Sequence, residues 1–279
     1  MKKLYCLVLG LFFAADYSFS ADYASTLATG PAVHPAGLFT PLKADPRELH
    51  FGLRWALPQD HKSVAEVAIG GYYGIYRWTL PGGAGHAQVN IGGGIFPRFI
   101  FPDGKDLQAI DFYGSLPFDF RLGKWSGRFM FYHVSSHLGD DYLNSSGRPA
   151  ERNSWNSLRS LISYDVVSRL RIYAGYTYHL QVQPAAQNHA AFQGGCEMNL
   201  AAFNGGRGQV YAAADVQSWD RREWRPSLTS QIGVKMGRGT AQGRGISYFA
   251  EFSGGPKYYG QFFLEDETRV GVGAKFDIN

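Results

Sequence analysis

The sequence predicts a closed, antiparallel, up-and-down transmembrane β-barrel of about 12 strands. From about Glu48 to the last residue, apolar and polar positions alternate with period two in segments of roughly 9–14 residues. Charged residues make up only 18% of the chain, whereas it contains 35 Gly, 17 Tyr and 20 Phe, which favours strands and turns over helices. Beyond the signal-like N-terminus, no apolar run approaches the ~18–20 residues that a spanning helix needs, which excludes a helix-bundle membrane protein.

The N-terminus has the pattern of a secretory signal peptide. Lys2 and Lys3 precede an apolar stretch over residues 4–15, and Ser18 and Ser20 supply the small residues of a cleavage site. We therefore expect cleavage after Ser20, export from the cytoplasm, and a location in the outer membrane of a Gram-negative bacterium. The chain then divides into a signal peptide over 1–20, an N-terminal extension without alternation over 21–47, and the barrel over 48–279.

The net charge and the cysteines exclude two further classes. Removal of the signal peptide lowers the formal charge from +4 to +3, because two lysines and Asp16 are lost. So small a positive charge is not typical of a nucleic-acid-binding protein. Cys6 belongs to the signal peptide, which leaves Cys196 alone in the mature chain. A disulfide framework is therefore excluded.

The alternating segments define the strands in order. The first segment places Leu53 and Trp55 on one face and Arg54 on the other, and the later segments repeat this split. The strands are expected near residues 49–57, 64–79, 86–99, 110–120, 125–136, 154–167, 170–180, 190–201, 210–216, 228–236, 246–252 and 270–278. An even number is typical of a closed bacterial barrel. A secreted soluble barrel or sandwich is the alternative, since a sheet with one packed and one wet face alternates in the same way.

The connections alternate in length, which indicates how the barrel is oriented. Longer polar loops follow odd-numbered strands, near residues 137–153, 181–189, 218–225 and 255–267, whereas short turns such as 121–124 follow even-numbered strands. Short periplasmic turns and longer external loops are the expected asymmetry. With the N-terminus in the periplasm, the loop 137–153 faces the outside of the cell.

The inward-facing positions predict a polar lumen that is crossed by ion pairs. They are Arg54, Arg128, Arg159, Arg171, Lys235, Asp111, Asp119 and Glu251. A twelve-stranded barrel is narrow enough for such side chains to fill. A wide diffusion pore is therefore not expected, and a small channel is the alternative interpretation.

Strand five carries the residues that point to chemistry. Phe129, Phe131, His133 and Ser135 share one face, so the histidine and the serine face lipid if the phenylalanines do, close to the external rim. Polar side chains on that surface are costly unless they have a partner or a task. Two residues apart on one strand, His133 and Ser135 place a base beside a nucleophile. His137 has the same parity, but its position at the loop entrance is typical of an ordinary polar residue.

The next strand supplies a residue that can orient the imidazole. A symmetric hairpin places Asn156 opposite His133 on the outward face, where its carboxamide oxygen would accept a hydrogen bond from the ring and fix its tautomer. The other ring nitrogen can then take the proton of Ser135. Asn153 has the opposite parity and is the alternative orienting residue.

These motifs resemble the outer-membrane phospholipase A enzymes. The similarity consists of His-Val-Ser over 133–135 and Ser-Trp-Asn over 154–156, with Asn153 inserted before the second motif. It implies a twelve-stranded outer-membrane barrel with its triad on the lipid-facing surface and calcium-dependent cleavage of the acyl esters of phospholipids. The chain departs from that family at Ser136, where the family has Asn-Gly.

By this resemblance, Ser135 is the nucleophile, His133 the base and Asn156 its orienting residue. Asp140 and Asp141 take the place of the family's calcium-site pattern. They are candidate Ca²⁺ ligands, since carboxylate oxygens suit this ion, which would polarise the ester carbonyl. Two adjacent carboxylates in an exposed loop are alternatively only solvated.

A second resemblance covers more of the chain and implies no activity. Segments 44–47, 132–142 and 259–263 are similar to an uncharacterised family of Gram-negative envelope proteins.

The sequence thus predicts an acyl-ester hydrolase that acts on membrane phospholipids through Ser135, His133 and Asn156, with Ca²⁺ as a candidate cofactor. The alternative is a non-enzymatic outer-membrane barrel with a structural or small-solute transport role. Membrane lipids are the expected partners, and no nucleic acid is expected. The head group, the acyl position and the need for a homodimer are left open.

Overall fold

The computed structural model describes residues 30–31, 37–59, 62–101, 106–149, 151–185, 189–237 and 245–277. The predicted signal peptide lies outside these residues. The strands are β1 (Gly30–Pro31), β2 (Phe51–Pro58), β3 (Val64–Thr79), β4 (His86–Ile100), β5 (Asp106–Leu122), β6 (Trp125–Leu138), β7 (Asn153–Val167), β8 (Leu170–Gln183), β9 (Ala190–Phe203), β10 (Gly208–Trp219), β11 (Pro226–Gly237), β12 (Gly245–Pro256) and β13 (Asp266–Asp277). The helix α1 (Asp140–Ser146) follows β6, and short 3-10 turns cover Pro81–Gly83, Asn204–Gly206, Asp220–Arg222 and Gly260–Phe262.

Strands β2 to β13 form a closed barrel. Each strand pairs antiparallel with its neighbours in the sequence, and β13 pairs with β2 to complete the ring, with Phe276 opposite Phe51 and Arg269 opposite Pro58. The two-residue β1 pairs with the end of β3. The prediction of a twelve-stranded, up-and-down antiparallel barrel is confirmed.

The outer surface of the barrel is apolar. Side chains on the outward parity are widely exposed, with Leu53 at 52%, Leu116 at 56% and Val272 at 60% of their full accessibility. Soluble proteins rarely leave so continuous an apolar surface in water, whereas a membrane barrel presents one to lipid. The structure therefore favours the membrane-barrel fold over the soluble sandwich. Among the described residues, no helix is long and apolar enough to cross a membrane.

The two ends of the barrel differ as the connection lengths predict. The segments 139–152, 220–225 and 257–265 join strands at one end, which we call the loop end. At the other end, β5 and β6 are joined by a tight turn in which Gly123 adopts a φ of +56°, a conformation that glycine adopts without strain. Gln261 links the loop end to strand β6, since its side-chain amide donates to the Ser136 carbonyl at 2.7 Å.

The lumen contains the predicted ion pairs. Glu66 accepts hydrogen bonds from Arg54 at 2.9 Å, from Arg98 at 2.9 Å and from Arg269. Arg128 pairs with Asp119 at 2.7 Å, and both side chains are almost fully buried. Burying a charge is costly unless it is paired and hydrogen-bonded, so these contacts explain how so many charges fit inside the barrel.

Residues 37–47 of the N-terminal extension, for which the sequence predicts no strand, lie inside the barrel. Glu48 and Leu49, which the alternation assigns to the start of the barrel, are buried with them, and β2 begins only at Phe51. We call residues 37–49 the luminal segment. Its apolar side chains Phe39 and Leu42 are buried against the inner wall. Its Asp45 carboxylate is fully buried and accepts hydrogen bonds from Arg159 at 2.8 Å and from Gln193 at 3.0 Å. The segment is irregular in structure, so its backbone groups bond to the wall instead.

Those backbone bonds come from side chains of the barrel strands. The Lys43 amide donates to Glu197 at 2.7 Å, and Arg171 donates to the Thr40 carbonyl at 2.9 Å. Each satisfies a main-chain group that would be costly to bury alone. The luminal segment is thus part of the packed interior, which argues against a wide diffusion pore.

Replacing Asp45 with alanine is expected to loosen the luminal segment. The change leaves Arg159 without its carboxylate, and breaking a buried ion pair costs about 3–5 kcal/mol. We expect higher single-channel conductance in planar bilayers and faster proteolysis within residues 37–49. Asp266→Ala, which removes an exposed carboxylate at the loop end, is the control and should change neither. Unchanged conductance and protease resistance in Asp45→Ala would contradict this role of Asp45.

Candidate functional site

The hairpin of β6 and β7 holds the predicted site on the outer surface near the loop end. Antiparallel pairing places His133 opposite Asn156 and Ser135 opposite Ser154. Phe129 and Phe131, on the same parity as the histidine, are 49% and 39% exposed on the apolar surface. His133 is exposed as well, so the outward parity predicted for this face is found in the structure.

His133 and Asn156 form the predicted hydrogen bond. His133 Nδ1 lies 2.7 Å from Asn156 Oδ1. Because the carboxamide oxygen can only accept, Nδ1 carries the proton, and this assigns Nε2 as the basic nitrogen of the neutral ring. The imidazole is thus held in the tautomer that a general base requires.

Gln181 extends this contact to a third strand. The Asn156 side-chain amide donates to Gln181 Oε1 at 3.0 Å, so both ends of the carboxamide are engaged and its orientation is set. By simple alternation, Gln181 would face the lumen. A β-bulge in the pairing of β7 with β8 sets Asn156 opposite Gln181 and Ser157 opposite His179, so that Leu180 is the extra residue. Both Leu180 and Gln181 therefore point outward.

Ser135 is hydrogen-bonded to His137, for which the sequence predicts an ordinary polar role. Its hydroxyl Oγ lies 2.8 Å from His137 Nε2. The structure thus places Ser135 between two outward-facing histidines, His133 on one side along the strand and His137 on the other. The shared parity of residues 133, 135 and 137 was the available signal. The choice of partner depends on the Ser135 rotamer, and side-chain torsions occupy staggered wells that sequence does not specify.

Of the two candidate asparagines, Asn156 faces the histidine and Asn153 does not. Asn153 is buried on the inner face, where its amide donates to Gln261 Oε1 at 3.2 Å. Its neighbour across the ladder, Ser136, is buried too and bonds to the Asp111 carboxylate. Residues 136 and 153 therefore support the loop end from inside and lie on the opposite face from the candidate site.

Asp140 and Asp141 lie beside each other at the loop end. Both carboxylates lie in the first turn of α1 and are exposed to solvent. In the part of the chain that the structure describes, no three His, Cys, Asp or Glu side chains are grouped as metal ligands. Calcium takes six to eight oxygen ligands, of which these two exposed carboxylates supply only a part. We derive no step through calcium for this chain.

Comparison with known proteins shows one family and one fold. A family model described as "Protein of unknown function (DUF1207)" matches residues 14–278. No curated protein sequence matches the chain.

The solved structures that are similar include outer membrane phospholipases. The enzyme from Escherichia coli has a TM-score of 0.59 at 12% identity, covering 88% of this chain and 96% of that chain. The Salmonella typhi enzyme, a dimer with bound calcium, has a TM-score of 0.57 at 12% identity, covering 83% of this chain and 92% of that chain. An active-site variant of the E. coli enzyme, with asparagine replaced by alanine, has a TM-score of 0.55 at 12% identity, covering 86% and 93%. At this identity the likeness shows the fold alone.

Proposed function

The chain belongs to DUF1207, a family of unknown function, and we propose that it is an outer-membrane hydrolase that cleaves acyl esters of membrane phospholipids. The observation that carries the proposal is the outer surface of the β6–β7 hairpin. There the Ser135 hydroxyl is hydrogen-bonded to an imidazole, and the neighbouring His133 ring is oriented by Asn156. These groups lie on the apolar surface, where the ester bonds of lipids are within reach.

In this mechanism Ser135 is the nucleophile and His133 the general base. The serine hydroxyl turns from His137 to His133 by rotation about χ1, and Nε2 of His133 takes its proton as Oγ attacks the ester carbonyl carbon. The bond to the glycerol oxygen then breaks, and the imidazolium returns the proton to that oxygen. A lysophospholipid leaves, and the acyl group remains on Ser135.

A water molecule completes the cycle. His133 Nε2 takes a proton from the water as its oxygen attacks the acyl-serine carbonyl, and the bond to Oγ breaks with the proton delivered to the serine. A fatty acid leaves and the hydroxyl is restored. Asn156 keeps the imidazole in one tautomer through both steps, and Gln181 keeps the carboxamide from turning.

The two histidines differ in what orients them. His133 Nδ1 has a carboxamide acceptor that is itself fixed by a neighbour. His137 contacts the Ser135 hydroxyl and the Phe112 ring, whose centroid lies 5.8 Å from that of the imidazole. A base whose second nitrogen is bonded to a stable acceptor is the better general base, which favours His133.

Exchange of each histidine for alanine tests this assignment. We expect His133→Ala to lower kcat about a hundredfold or more, as loss of a general base does, and His137→Ala to change it less than tenfold. Hydrolysis of phosphatidylcholine in mixed micelles by the refolded barrel is the measurement. The reverse pattern, with His137→Ala the inactive variant, would transfer the role of base to His137.

The proposal includes the location and the assembly of the protein. We place the barrel in the outer membrane, exported by the predicted signal peptide, because its apolar surface and its structural neighbours are those of outer-membrane barrels. Since the Salmonella typhi neighbour is a dimer with bound calcium, the assay is run at several detergent concentrations, with calcium and with EDTA. A wild-type barrel that hydrolyses no phospholipid in any of these conditions would favour the non-enzymatic alternative.

A further inference from the structure

A chamber lies in the lumen between the luminal segment and the loop end. It offers about 60 Å³ to water-sized molecules. Tyr132, Val134 and Trp155 line it from the inner face of β6 and β7, on the opposite side of the sheet from His133 and Asn156. A cavity of this size holds several waters or an organic molecule of about five heavy atoms.

Two of the arginines that line the chamber are neutralised by carboxylates. Arg47 Nη2 lies 2.6 Å from Asp111 Oδ2, and Arg159 Nη2 lies 2.8 Å from Asp45 Oδ2. These two pairs leave the charge of the third arginine, Arg222, without a match among the lining residues.

Arg222 is buried without a carboxylate. The residue is only 2% exposed, and no acidic group within the described ranges forms an ion pair with it. Nη2 donates to the Lys257 carbonyl at 2.9 Å and Nη1 to Ser227 Oγ at 3.4 Å, whereas Nε is buried and has no hydrogen-bond partner. An unpaired buried charge and donor carry a large desolvation cost, which a bound anion would remove.

The surroundings of Arg222 are otherwise cationic and aromatic. Burial lowers the pKa of its guanidinium to about 9, against the opposing effect of Tyr258, and the nearby Arg47 and Arg225 lower the pKa further. The group remains a cation at neutral pH. It stacks 4.2 Å from the centroid of the Trp219 ring, which is itself edge-on to Trp155 at 5.8 Å. An anion bound beside Arg222 would meet the guanidinium and the rings of Trp219 and Trp155.

We propose that this chamber binds a short-chain monocarboxylate, with its carboxylate on Arg222 and its apolar tail against Trp155 and Trp219. One bound negative charge would bring the net charge of the lining side chains to zero. The volume of the chamber limits the apolar tail to a few carbons. A carboxylate also matches the planar donor fork of a guanidinium. This site lies inside the barrel and does not depend on the hydrolase proposal.

Calorimetric titration of the refolded wild-type barrel with sodium propionate tests the site. We expect saturable binding at one site per chain, and at least tenfold weaker binding of propionamide, a neutral molecule of the same size. Arg222→Gln should weaken propionate binding at least tenfold. Arg148→Gln is the matched control, because Arg148 is a partly exposed loop-end arginine that pairs with Glu265 and does not line the chamber, and its propionate affinity should stay within about twofold.

A second variant keeps the test valid if Arg222→Gln does not fold. Val134→Phe fills the chamber from β6 and leaves Arg222 in place, so it should also abolish propionate binding, with the fold checked by heat-dependent gel migration. Four results would overturn the proposal: no saturable binding to wild type, equal binding of propionamide, binding that survives both variants, or chloride competing as well as acetate and propionate do.

Discussion

Replacing Ser135 with alanine is expected to lower phospholipid acyl hydrolysis by the refolded barrel by about 10⁴-fold or more. The Ser135 hydroxyl carries the acyl group in the proposed mechanism, so its loss removes that covalent route. The measurement is release of fatty acid from phosphatidylcholine in mixed micelles. A fluorophosphonate probe should label the wild type at Ser135 and leave the variant unlabelled.

Ser160→Ala is the matched control for this prediction. Ser160 is an exposed serine on the same strand as Asn156, and it lies opposite Phe129. Its removal should leave hydrolysis within about twofold of the wild type, since it is outside the site. An active wild type together with an equally active Ser135→Ala variant would show that another group is the nucleophile.

Replacing Glu66 with glutamine is expected to lower the free energy of unfolding by about 3–5 kcal/mol. Glu66 is buried among Arg54, Arg98 and Arg269, and the neutral amide would leave these guanidiniums with less negative charge to oppose them. The carboxylates of Glu251 and Glu267 remain near them, so the barrel should still fold. Urea-induced unfolding in detergent micelles, followed by tryptophan fluorescence, is the measurement.

An exposed ion pair supplies the control for the Glu66 prediction. Asp266 pairs with Arg225 at 2.5 Å, but their side chains are 57% and 39% exposed. Such pairs contribute about 0–1 kcal/mol, so Asp266→Asn should change the free energy of unfolding by no more than that. Equal effects of Glu66→Gln and Asp266→Asn would mean that water screens the luminal charges as well as those at the surface.

The sequence by itself determined the barrel and the faces of its strands. Period-two alternation is a local property, because successive side chains of a strand point to opposite faces whatever they pack against. For that reason Phe129, Phe131 and His133 could be assigned to the outer surface and Arg128 to the lumen. The pairing of His133 with Asn156 was also accessible, since a symmetric hairpin fixes the register of its own two strands.

Only the tertiary structure decided the features that depend on distant contacts. Most of the luminal segment, residues 37–47, has no periodic pattern, and side chains far along the chain hold it in place. Gln181 reaches Asn156 because a bulge breaks the alternation on which sequence reasoning relies. The side-chain rotamer of Ser135 decides which histidine its hydroxyl bonds to. Arg222 is buried because the loop-end segments around it, including Lys257, pack over the lumen. Local periodicity specifies the face of a residue, but long-range packing decides what that residue meets there.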